Sequence, residues 1–60
     1  MKPRKKIYYI KAKIDVYLIE HSIEWGVTPY VYYEVETPEK SYFTKEYFTA
    51  LKQFNQIINP

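Results

Sequence analysis

Sixty residues without a cysteine allow one small domain and exclude disulfide staples and thiolate metal sites. A single histidine, His21, and a single glycine, Gly26, exclude a histidine metal cluster and a Gly-rich phosphate loop. A net charge of +2, 47% hydrophobic residues and 20% aromatics, with eight Tyr, describe a chain that folds and is rich in rings.

The chain opens on a basic arm, residues 1–6, with Lys2, Arg4, Lys5 and Lys6. With Lys11 and Lys13, the first thirteen residues hold six cations and no acid, whereas the rest has three Lys against seven acids. Such asymmetry points to a polyanion, and these six residues are the candidate nucleic-acid contacts. The same cluster also reads as a solubilising, frayed terminus. The apolar stretch Ile7–Ile10 stops at Lys11, too early for a secretory signal, and no apolar run is long enough to span a bilayer. A cytoplasmic protein without membrane association, cofactor or metal is therefore expected. The frequency of Lys, Ile, Tyr, Phe and Asn fits an AT-rich gene, such as one from a phage or other mobile element.

Residues 7–19 alternate, with Tyr8, Ile10, Ala12, Ile14, Val16 and Leu18 on one side, which predicts a single long strand. Glu20–Thr28 contains Gly26 and reads as a turn region into which the strand continues part-way. Trp25, beside Gly26, is either folded under the sheet or an exposed anchor for a partner. Residues 30–36 form a second strand, Thr37–Lys40 a Pro-containing turn, and Ser41–Phe43 a short third strand. Thr44 is the expected N-cap, with Phe43 and Phe48 as a hydrophobic staple. Beyond it Tyr47, Phe48, Leu51, Phe54, Ile57 and Ile58 recur at helical spacing.

The expected fold is α+β: a two- or three-stranded antiparallel sheet (β-β-(β)-α) packed on one C-terminal helix, with residues 7–60 as a single domain. The expected core is Tyr8, Ile10, Ile14, Val16, Leu18, Val31, Tyr33, Val35, Phe43, Phe48, Leu51, Phe54 and Ile58. Pairing Tyr17 with Tyr30 sets Lys13 against Glu34, Lys11 against Glu36, Val16 against Val31, Ile14 against Tyr33 and Ala12 against Val35. Both faces are then consistent. This leaves Tyr9, Tyr17, Tyr30 and Tyr32 away from the helix. With Trp25 they are the candidate interface, for base stacking or for a protein.

Three strands followed by a helix, entered at Ser41-Tyr42-Phe43-Thr44-Lys45-Glu46, resemble the arm-binding domain of phage and transposon tyrosine integrases. That resemblance implies a sheet inserted into the DNA major groove, with Lys11 and Lys13 near DNA. Catalysis is not expected. His21, Ser22 or Ser41, and Asp15 would have to form a triad without a nucleophile elbow, and Glu34 and Glu36 read as solvated strand charges. The expected function is a small non-catalytic nucleic-acid-binding accessory or regulatory factor. The alternative is a protein-interaction module, an inhibitor or adaptor, that binds a host protein through the Tyr face. A homodimer would help so small a chain.

Overall fold

The computed structural model describes residues 2–60. Four antiparallel strands are joined by tight turns in the order β1-β2-β3-β4: β1 (Arg4–Lys13), β2 (Val16–Trp25), β3 (Thr28–Glu36) and β4 (Ser41–Thr44). They are followed by one helix, α1 (Tyr47–Ile58). The α+β class and the C-terminal helix are as expected, but the sheet has four strands rather than two or three.

The extra strand comes from residues 7–19. They do not form one strand: the chain reverses at Ile14–Asp15, and β2 continues to Trp25 through most of the expected turn region. The reversal needs a positive φ at its first residue, and Ile14 supplies it at 59°. The next hairpin turns at Gly26, φ 69°, which is the ordinary residue for such a position. The third connection is closed by Thr37: its N–H and its Oγ1–H both donate to the Lys40 carbonyl, at 2.9 and 2.6 Å. In return the Lys40 N–H donates to Thr37 Oγ1 at 3.0 Å.

The pairing differs accordingly from the expected register. Tyr17 lies opposite Glu36 rather than Tyr30, and Leu18 lies opposite Val35. Neither Lys11 nor Lys13 meets a glutamate, because β1 pairs with β2, where these lysines oppose Leu18 and Val16. The β1 ladder shifts between Tyr9 and Lys11, so Ile10 is a bulge. Within the basic arm, Arg4, Lys5 and Lys6 are strand residues paired with Glu24, Ile23 and Ser22. Met1 lies outside the described residues.

The core sits at the Ile14–Asp15 end. Val16, Leu18, Val35, Ala50 and Phe54 are buried together, with Tyr33, Tyr42, Tyr47, Leu51, Ile57 and Ile58 packed around them. Of the expected core, Val16, Leu18, Val35 and Phe54 are buried, whereas Tyr8, Ile10, Ile14, Phe43 and Phe48 are exposed. Phe43 cannot staple Phe48, since it pairs with Glu34 on the sheet face opposite α1. The helix starts later than expected, with Glu46 as N-cap making no side-chain cap hydrogen bond. Thr44 Oγ1 instead accepts from the Glu46 N–H at 3.2 Å.

The helix packs on β2, β3 and β4. The molecule measures 43 × 19 × 17 Å, so the sheet runs well past the core. Around Arg4–Ile7, Ser22–Trp25 and Thr28–Val31 it projects as a three-stranded tongue outside the buried cluster.

Candidate functional site

Directly paired residues share a sheet face, so the register assigns each side chain. The face bearing Leu18 and Val35 is the one α1 covers. On β1 that face carries Arg4, Lys6 and Tyr8, which pair with Glu24, Ser22 and Glu20. After the bulge at Ile10 it carries Lys11 and Lys13. The bulge thus places four of the five β1 cations in one row along the free edge of the sheet, with the half-exposed ring of Tyr8 between them. Two residues along a strand span about 6.6 Å. Arg4 and Lys6, and again Lys11 and Lys13, therefore sit at a separation like that of neighbouring phosphates on an extended nucleic-acid strand.

The carboxylates nearby compensate this row only at one end. Lys6 Nζ lies 3.2 Å from Glu24 Oε1, an exposed pair of small energetic weight. Glu20, opposite Tyr8, is turned to Tyr33 on the neighbouring strand. Burial, and then the Glu20 carboxylate, raise the Tyr33 phenol above its ordinary value. Among the described residues Lys6 is the one β1 cation within ion-pair distance of a carboxylate. Lys5 is on the opposite face, paired with Ile23, and Lys2 lies by Arg4, Glu24 and Trp25 in a hollow at the tip of the tongue.

The opposite face holds the ring residues. Its cross-strand rows read Trp25 and Thr28; Lys5, Ile23 and Tyr30; Ile7, His21 and Tyr32; Tyr9, Ile19, Glu34 and Phe43; Ala12, Tyr17, Glu36 and Ser41. Tyr9 and Tyr17 meet edge to face at 5.7 Å, Tyr32 stacks on His21 at 4.7 Å, and Tyr30 and Phe43 flank Tyr32 at 5.9 and 6.2 Å. His21 Nε2 donates to Glu34 Oε1 at 2.6 Å, which ties β2 to β3 through the middle of this face. Ile19, outside the helix-side cluster, is nevertheless only 2% exposed under these neighbours. Trp25 and Tyr9 are each 64% exposed, which excludes the folded-under placement of Trp25.

The candidate residues therefore fall into two groups on opposite faces. Tyr9, Tyr17, Trp25, Tyr30 and Tyr32 lie together, whereas Arg4, Lys6, Lys11 and Lys13 lie on the other side. Sequence reasoning placed Lys11 and Lys13 with the tyrosines and Tyr8 in the core; the bulge reverses the first, and the lack of helix over β1 exposes the second. Lys45 was also missed: its Nζ lies 5.2 Å over the Tyr30 ring and adds a cation to the aromatic face. Among the described residues no group of three or more metal-ligating side chains is assembled, and no helix is long and apolar enough to cross a membrane.

Fold and surface together define a small α+β chain with one cationic edge and one aromatic sheet face. Compared with protein-family models, curated proteins and solved structures, the chain matches none.

Proposed function

We propose that the protein is a non-catalytic nucleic-acid-binding factor of accessory or regulatory type, and that it grips the backbone with its first strand. The observation that supports this most is the row Arg4, Lys6, Lys11 and Lys13, brought onto one face by the bulge at Ile10. Cations at two-residue spacing on an extended edge suit phosphates, and Tyr8 in the same row offers a ring to an unpaired base. A single strand satisfies both features, whereas a duplex uses the phosphate contacts alone. A cationic edge also keeps β1 from pairing with other sheets.

The test is fluorescence anisotropy with single-stranded DNA, duplex DNA and single-stranded RNA. Neutralising three or four phosphates predicts an affinity that falls with salt with a log–log slope of about −2 to −3 for a single strand. Lys11→Gln and Lys13→Gln should each reduce that slope by about 0.7 and weaken all sequences alike. Tyr8→Ala should weaken single-stranded binding more than duplex binding. Absence of binding to all three at about 50 mM salt, where electrostatic affinity is high, defeats the proposal. The aromatic face favours the second reading, a protein interface, because it carries few charges and many rings.

A further inference from the structure

The face opposite α1 is an apolar layer without a covering layer, whereas small domains bury such faces between two layers. Ile7, Tyr9, Trp25, Tyr30 and Phe43 are exposed on it. A patch of this kind marks an interaction surface. Three features of the chain identify what covers it.

The first is area. Nine residues along β2 and three strand widths, with the four-residue β4 adding a fourth width at the Ile14 end, give a footprint of about 26 × 14 Å plus about 10 × 5 Å, or about 420 Å². Two such faces bury about 850 Å², the size of a weak, reversible interface, which suits a dimer that forms at micromolar concentration. The second is the edges. Joining copies edge to edge would stack the cations of β1 against those of another β1, and β4 is only four residues long. Face-to-face packing avoids both obstacles. The third is the charge pattern of the face itself. Its cations, Lys5 and Lys45, lie toward the Gly26 end, with Lys45 held over Tyr30. Its carboxylates, Glu34 and Glu36, lie toward the Ile14 end. A two-fold axis across the strands, through the row of His21 and Tyr32, superposes one end on the other: it sets Lys5 over Tyr9 and brings Lys45, above Tyr30, to the end that carries Glu34 and Glu36. The same operation sets Ile23 over Ile19 and Trp25 over Tyr17.

We propose that this face packs on the same face of a second copy, with strands antiparallel between the two copies. The dimer is isologous, buries Trp25, and leaves both β1 cation rows on its outer surfaces. It does not depend on nucleic-acid binding, and the test is done on nucleic-acid-free protein, so either proposal can fail without the other.

Sedimentation equilibrium from low to high micromolar concentration should show a monomer–dimer equilibrium. Trp25, the single tryptophan, should shift its emission to the blue over the same range. Trp25→Glu and Ile7→Glu, with folding checked by circular dichroism, should each weaken dimerisation by about tenfold or more. Lys45→Glu should weaken it, and adding Glu36→Lys to that chain should recover part of the loss. A wild-type protein that stays monomeric throughout overturns the proposal, as does a dimer that forms with unchanged Trp25 emission. A dimer indifferent to both Trp25→Glu and Ile7→Glu also overturns it. Charge reversal without recovery overturns the antiparallel arrangement. If a variant fails to fold, the wild-type emission change still decides whether this face is the one covered.

Discussion

Two hairpin residues show what the backbone demands. Ile14 and Gly26 open their two-residue turns with φ of 59° and 69°. A β-branched residue there is strained by about 1–2 kcal/mol. Ile14 is 89% exposed, so its side chain gains almost nothing from burial in return. Ile14→Gly should therefore raise the urea midpoint and stabilise the fold by about 1 kcal/mol, after the larger entropy of glycine in the unfolded chain is subtracted. Gly26→Ala should do the reverse by a similar amount. A Cβ at Gly26 has no neighbour within 4 Å, so the loss would be backbone strain alone. Tyr33 gives a pH-dependent counterpart. Burial first, and then Glu20, raise its phenol above 10.0, so the folded state keeps a proton that the unfolded chain has already lost. Its contribution to stability is complete below pH 10.0 and is lost as pH rises through the folded value. Urea midpoints on either side of that pH should fall more steeply for the wild type than for Tyr33→Phe; equal slopes would remove Tyr33 from the account.

Helix α1 is tied down by its apolar stripe more than by its ends. Glu46 makes no side-chain cap bond, and the first turn carries no acid. Glu46→Asp should stabilise the fold by about 0.5–1 kcal/mol, since the shorter carboxylate can accept from the free N–H groups while keeping a favourable charge at the helix start. An unchanged urea midpoint would show that those N–H groups are already satisfied. The stripe itself was plain in the sequence: Phe54, Leu51 and Ile58 recur at the helical period, and all three pack on the sheet. The first two strands were not, for a geometric reason. The bulge at Ile10 moves the inward positions from Arg4, Lys6 and Tyr8 to Lys11 and Lys13, and the reversal at Ile14–Asp15 moves them back to Val16 and Leu18. The two shifts cancel, so the alternation runs on as if unbroken, and no Gly, Pro or Asn marks the turn. From that error followed the wrong partner for β1 and the wrong face for Lys11 and Lys13. Tyr9, Tyr17, Tyr30 and Tyr32 reached their shared face despite it, because Tyr9 precedes the bulge and the others follow the turn in β2 or lie in β3.

At the scale of the molecule, stability is concentrated at one end. Among the described residues six are buried hydrophobics, and five of them form the cluster between α1 and the sheet. The tongue relies on ladder hydrogen bonds and on its own side chains, and isolated hairpins are marginal in water. A chain of this length is worth about 3–9 kcal/mol in total. Phe54→Ala, which removes the largest buried ring at a cost of about 3–5 kcal/mol, should leave much of the protein unfolded at room temperature, as loss of helical circular dichroism. A second copy on the aromatic face would supply the layer the tongue lacks, and it would also link melting to concentration. Each tenfold rise in protein concentration adds about 1.4 kcal/mol to the dimer, or about 0.7 per chain. In a domain of this size that raises Tm by about 3–6 °C. A melting temperature that climbs in this way for the wild type, and stays flat for Ile7→Glu, would show that part of the fold's stability is held between two chains. A flat wild-type Tm at concentrations where the dimer forms would mean that the tongue stands without it.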